Sequence, residues 1–139
     1  MDDKMTIMIV DDEKIVRESL FHWFTKLGHT VEKASSGFEA LERLENNPFD
    51  LLFVDIRMPE MNGIELLEIL RKTGSKLPFI LVSGFTRSDN ELKSVIKTHC
   101  SGYLSKPYSQ QQISMAVSYT HLRAHETASF ISYAVFCLK

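Results

Sequence analysis

The stretch FDLLFVDIRMPEMNG, Phe49 to Gly63, runs through Leu51, Leu52, Phe53 and Val54 and stops on one carboxylate, Asp55, before a Met-Pro turn. A run this short, rich in branched and aromatic residues, reads as a strand buried on both faces. An acid at the exit of the most buried strand of a chain calls for a reason.

Similar runs lie on either side. Thr6–Val10, Leu77–Val82 and Gly102–Leu104 repeat the apolar pattern, and Thr30–Ala34 is a weaker version of it. Helical patterns fill the intervals. Val16, Leu20, Trp23, Phe24 and Leu27 form one stripe that Gly28 should terminate. Ser36 and Glu39 form the pattern of a capping box ahead of Ala40, Leu41 and Leu44. Ile64, Leu67 and Leu70 make a third stripe ending at Gly74, and SDNELKSVIKTH gives a more polar fourth with Leu92, Val95 and Ile96. A fifth helix should begin near Ser109, with Ile113, Ala116 and Val117 inward. Strand and helix therefore alternate five times, the pattern of a parallel sheet covered by helices on both faces.

Composition sets the bounds. A chain of 139 residues, 44% hydrophobic and 24% charged, can bury one core without cross-links. A net charge of −2 gives no surface suited to nucleic acid or anionic membrane. Cys100 and Cys137 match no metal or redox spacing, so a reduced, cytoplasmic setting is expected. The acidic N-terminus does not resemble a signal peptide, and the run ASFISYAVFCL is too short to span a bilayer.

Chemistry gathers at the strand exits. Asp11 and Asp12 follow the first strand, Asp55 follows the third, Ser83-Gly84 follows the fourth, and Ser105-Lys106-Pro107 follows the fifth. In an open parallel sheet those exits share one edge, where ligands bind. Each piece has a plain alternative. Asp11 and Asp12 suit a helix N-cap, Asp55 a solvated turn, Ser83-Gly84 an ordinary turn and Lys106 a surface lysine at a bend. Asn62-Gly63 reads only as a turn into the third helix. Complementary groups converging on one edge outweigh the separate alternatives. Clustered carboxylates repel unless a cation joins them, and a hard divalent ion such as Mg2+ suits oxygen ligands. Lys106 offers a point charge for a phosphoryl oxygen and Ser83 a hydroxyl donor. A rigidly held carboxylate can itself accept a phosphoryl group, which makes Asp55 the central candidate.

The segments VDD (10–12), VDIRMPEMNG (54–63), VSG (82–84) and GYLSKP (102–107) closely resemble the receiver domain of bacterial two-component response regulators, from about Thr6 to Val117. The resemblance implies a flavodoxin-like, doubly wound five-stranded sheet of order 2-1-3-4-5. It implies Asp55 as the phosphoacceptor for a sensor histidine kinase, with Lys106 pairing with the phosphoryl group. It implies Asp12, Asp55 and the Arg57 carbonyl as Mg2+ ligands, Asp11 supporting the ion through water, and a cis bond before Pro107. Ser83 and Tyr103 match its switch pair, which would alter an output face toward an unknown output domain or protein. Arg57 and Phe85 match positions that border the phosphoryl group and influence its lifetime. On this reading the chain is not an enzyme beyond an intrinsic autophosphatase activity, binds no membrane, and makes no direct nucleic-acid contact through this domain. Thr98, His99 and Cys100 depart from the small residues the family favours before the fifth strand.

The receiver is placed at residues 1–117. Beyond it the inward stripe calls for apolar groups near 120 and 124, where the chain has Thr120, His121 and Ala124. SYTHLRAHET also resembles a translated sequencing-adapter fragment, so 118–139 is read as foreign or as the truncated end of the fifth helix. The competing reading is a genuine extension packing through FISYAVF. His121 and His125 lack a third ligand for a metal. Among other classes, a haloacid-dehalogenase-type phosphatase needs an acid two residues after its nucleophile, where this chain has Arg57. A pseudo-receiver, an interaction module with no phosphorylation, would lack part of the acid, Ser and Lys set that is complete here. No glycine-rich phosphate loop supports nucleotide binding.

Overall fold

The computed structural model describes residues 4–83, 102–106 and 108–123, with the side chains at 83, 105 and 119–123 outside the description. In chain order it contains β1 (Thr6–Val10), α1 (Lys14–Lys26), β2 (Thr30–Ala34), α2 (Gly37–Asn46), β3 (Leu51–Asp55), α3 (Gly63–Lys72), β4 (Phe79–Ser83), β5 (Gly102–Ser105) and α4 (Gln110–Arg123). The expected polar helix between β4 and β5 lies outside the described residues, so α4 is the predicted fifth helix.

The strands form one parallel sheet of order β2-β1-β3-β4-β5, as expected. Chain direction reverses within that order. From β1 the chain steps outward to β2, and then it crosses back to β3 and onward to β4. Right-handed crossovers therefore place α1 on one face and α2 with α3 on the other. α2 touches α3, while α1 and the start of α4 line a common groove through Val16, Leu20, Trp23 and Ile113. The reversal leaves a crevice at the exits of β1 and β3, which are direct neighbours in register from Ile7↔Leu51 to Val10↔Val54.

Burial explains which runs became strands. Every residue of β3 is buried, as are the last four of β1, because helices cover both sides of the central strands. Phe24 of α1 meets Phe53 of β3 edge to face, with centroids 5.7 Å apart. At the opposite edge, Asp50 clips β3 to β1: its carboxylate accepts from the Thr6 N–H at 2.8 Å, and its own N–H donates to the Thr6 carbonyl at 2.8 Å.

Helix ends hold the local corrections. α1 stops at Gly28, whose φ of 101° is the left-handed value glycine accepts. Leu27, expected inward, is 49% exposed because it is already the C-cap residue and no longer follows the stripe. Neither Asp11 nor Asp12 caps α1; the N-cap is Glu13, with no side-chain cap bond. At α2 the expected capping box is only half formed. Ser36 accepts from the Glu39 N–H, but the Glu39 carboxylate turns to the N–H and hydroxyl of Ser35, one residue earlier. The complete capping box is at α3, where Asn62 accepts from the Glu65 N–H at 2.8 Å and Glu65 from the Asn62 N–H at 2.9 Å. In α4, Ile113, Ala116 and Val117 are buried as the sequence predicts, and the helical backbone continues to Arg123. No helix among the described residues is long and apolar enough to cross a membrane.

Candidate functional site

The crevice at the exits of β1 and β3 gathers four of the residues singled out by the sequence. Asp11 leaves β1 with its N–H still bonded to the Ala34 carbonyl at 3.1 Å, so the ladder holds its backbone. Its side chain is buried at 3% exposure, and Oδ1 accepts from the Glu13 N–H at 2.9 Å. Arg17, one turn into α1, donates through Nη1 to the Asp11 carbonyl at 2.8 Å. Asp12 is exposed beside it.

Asp55 is the last residue of β3, paired in register with Val82 and 6% exposed. Carboxylate oxygens of Asp11, Asp12 and Asp55 all lie within 4.8 Å of one another. Lys106 reaches in from the end of β5, its Nζ 3.2 Å from Asp55 Oδ1.

Such crowding raises the cost of charge. Burial pushes Asp11 up to about 6; the Glu13 N–H opposes this, and the nearby Asp55 charge adds to it. Burial also pushes Asp55 above the ordinary carboxylate range, against the pull of the Lys106 ammonium. Among the described residues, two buried acids and one exposed acid gather around Lys106, and an oxygen-seeking cation would relieve the excess negative charge. This is a donor set for a hard divalent ion beside a positioned ammonium group.

The other predicted residues lie around this centre. Tyr103 is buried in β5, opposite Leu81. The Ser83 backbone pairs with Ser105 beside the crevice, while its side chain lies outside the description. Arg57 stands exposed in the loop after Asp55. Pro107 and Phe85 lie outside the described residues.

Three contributors escaped the sequence reading. Tyr108 packs edge-on against Phe53 at 6.4 Å, and burial together with the charges of Asp11 and Asp55 pushes its phenol up to about 12. Its place directly after Lys106-Pro107 was the available signal. Arg17 supports the Asp11 backbone from six residues away, a spacing visible only once α1 is known to start at Lys14. Gly63, read as part of a turn, is the first residue of α3 and lies against the Asp55 carbonyl.

Comparison with known proteins follows the same outline. The family model of the response regulator receiver domain matches residues 7–118. Response regulator MprA of Mycobacterium sp. (strain KMS) is 37% identical over 107 residues, covering 77% of this chain and 46% of that protein. The Regulator of RpoS of Escherichia coli (strain K12) is 38% identical over 101 residues, 73% of this chain and 30% of its own length. The solved Francisella response regulator 1452 receiver domain matches with a TM-score of 0.79 at 29% identity, covering 87% of this chain and 99% of that one. The chain thus spans less than half the length of these curated relatives.

Proposed function

The chain belongs to the response regulator receiver domain family, and we propose that it works as the phosphoacceptor of a two-component system, with Asp55 taking a phosphoryl group from a sensor histidine kinase. The observation that carries this reading is the Asp55 carboxylate itself, fixed at a buried strand exit with Lys106 Nζ 3.2 Å away and two further acids in reach.

In the transfer, an Asp55 carboxylate oxygen attacks phosphorus, the P–N bond of the phosphohistidine breaks, and the departing imidazole takes up a proton. The β1–β3–β4 ladder holds the nucleophile still, which matters because phosphoryl transfer is catalysed mainly by positioning and charge neutralisation. Lys106 turns from the carboxylate to a phosphoryl oxygen. Asp12, Asp55 and the Arg57 carbonyl are the residues that would hold Mg2+, with Asp11 supporting them through water; the buried, mutually repelling carboxylates fit such an ion. When bound, Mg2+ supplies positive charge to the phosphoryl oxygens. Ser83 and Tyr103 then act as the switch pair, the hydroxyl moving to the added dianion and the ring following inward, so the output face is read by an attached or separate partner. Return to the resting state is by hydrolysis of the acyl phosphate, an autophosphatase activity. The setting is cytoplasmic, and the receiver domain occupies 1–117, with 118–139 as a C-terminal tail.

The test is intact-mass analysis after incubation with Mg2+ and a small acyl-phosphate donor, beside Asp55→Asn. We expect one base-labile phosphoryl group on the parent and none on the variant. A folded parent that gains nothing overturns the phosphoacceptor reading and leaves an interaction module that works without phosphorylation.

A further inference from the structure

Gly63 lies directly against the backbone of the site. A Cβ built there would lie 2.7 Å from the Asp55 carbonyl oxygen, 3.0 Å from Ile56 Cα and 3.2 Å from the Asp55 carbonyl carbon. All three obstacles are main-chain atoms. The Gly63 N–H also donates to the Ile56 carbonyl at 2.9 Å, while the Ile56 N–H donates to Val82 of β4 at 2.8 Å. The peptides around the acceptor are thus held from one side by the sheet and from the other by the first turn of α3. The Asn62–Glu65 capping box fixes that turn, and Leu66, Leu67 and Leu70 anchor the helix in the core.

From this we infer that Gly63 is a positioning residue: its missing side chain lets α3 close a clasp on the Asp55–Ile56 backbone, which sets the acceptor carboxylate and the Arg57 carbonyl in the geometry of the cation site. This rests on the receiver reading of the same site. A methyl at 63 must move something. The sheet is laddered on both sides of β3 and α3 is anchored in the core, so the softer element yields. That element is the segment 56–62, which leaves the ladder after Ile56 and turns with the Met61 N–H donating to Pro59 O at 2.7 Å and Glu60 at a positive φ of 70°. Gly37 is the internal contrast. A Cβ there would meet only side-chain atoms of Met61, Sδ at 2.6 Å, Cγ at 3.0 Å and Cβ at 3.2 Å, and the flexible thioether can rotate to relieve most of that crowding where main chain cannot.

The experiment compares the 139-residue parent with Gly63→Ala, Gly37→Ala and the double variant Asn62→Ala/Glu65→Ala. Mn2+ binding is followed by the loss of the free-ion EPR signal, folding by circular dichroism, and phosphoryl uptake by intact mass. Neighbours that hold metal ligands in place typically cost 10–100-fold in affinity when disturbed, so Gly63→Ala should bind Mn2+ about ten-fold more weakly while folded. Gly37→Ala should stay within about two-fold of the parent, its obstacle being a side chain. A folded Gly63→Ala with parental Mn2+ affinity and uptake overturns the inference. Should Gly63→Ala fail to fold, the double variant decides, because it loosens the clasp without crowding it: weaker Mn2+ binding supports the inference and unchanged binding overturns it. A parent that binds Mn2+ but takes up no phosphoryl group defeats the phosphoacceptor reading while leaving the clasp testable by affinity.

Discussion

Two groups of acids in this molecule have opposite electrostatics. On the α1–β2–α2 side, Glu18 pairs with Lys33 at 2.8 Å, while Arg43 spans Glu32 at 3.3 Å and Glu39 at 3.0 Å. Hydrogen bonds to cations and N–H groups hold Glu18 and Glu39 below the ordinary carboxylate range. At the exits of β1 and β3 the direction is reversed: burial and mutual repulsion drive Asp11 and Asp55 up. Surface acids with their own partners support the fold. The crowded acids of the crevice weigh against it, and a stable fold tolerates that cost where a ligand is to be bound.

The sharpest way to break this contrast is to remove the cation paired with Asp55. Lys106→Ala leaves the Asp55 carboxylate without its 3.2 Å partner. Losing one preorganised electrostatic contact in a reacting site typically costs 10²–10³ in rate. Phosphoryl uptake from a small acyl phosphate should therefore fall on the order of a hundred-fold. Mn2+ affinity should not fall, since Lys106 competes with a metal for the same carboxylate. Initial rates by intact mass and Mn2+ binding by EPR separate the two effects, and an uptake rate within a few-fold of the parent would refute the role given to Lys106.

Removing a repelling charge should act on stability instead. Asp11 has a folded-state value raised from 3.8 to about 6, so the native state holds its proton more tightly than the unfolded chain. Its favourable contribution is full below the unfolded value and is lost as pH rises through about 6. In EDTA, urea unfolding of the parent should show stability falling between pH 4 and 7. Asp11→Asn keeps an oxygen for the Glu13 N–H, so it should flatten that slope. It should also gain up to about 3 kcal/mol at pH 7.5, each tenfold in proton affinity being worth about 1.4 kcal/mol. A steeper slope or a loss of stability would reverse the sign assigned here.

The same contrast explains what could be read from sequence. The fold was legible because strands covered on both faces become continuous apolar runs, as in β1, β3 and β4, and because an acid after such a run can only emerge at the exit edge. That placed Asp11, Asp12, Asp55 and Lys106 at one edge before any distance was known. Contacts made through space were not legible. Nothing in NG marks Gly63 as the residue lying on the Asp55 carbonyl, and Tyr108 meets Phe53 only after β5 is laid beside β4. Capping was half legible: S-x-x-E and N-x-x-E occur at both helices, but which backbone N–H the glutamate takes depends on how the chain enters the first turn. At α2 that N–H belongs to Ser35, and at α3 to Asn62.

Glu39 gives the smallest and most discriminating test of the surface group. Its carboxylate accepts from the Ser35 N–H at 2.7 Å and the Ser35 hydroxyl at 2.9 Å, and it also pairs with Arg43. Because its folded value is lowered, its contribution is present above the unfolded value and is lost as pH falls, the reverse of Asp11. Partly exposed pairs and single hydrogen bonds are each worth modest amounts, so Glu39→Ala should cost about 1 kcal/mol at pH 7.5. That cost should shrink toward pH 3 and in high salt, as screening weakens the pair. Phosphoryl uptake and Mn2+ affinity should stay at the parental level, because α2's cap touches neither Asp55 nor the Gly63 clasp. If uptake fell with the cap intact elsewhere, the two groups of acids would be coupled through α2 and Met61, and the separation drawn between them would fail.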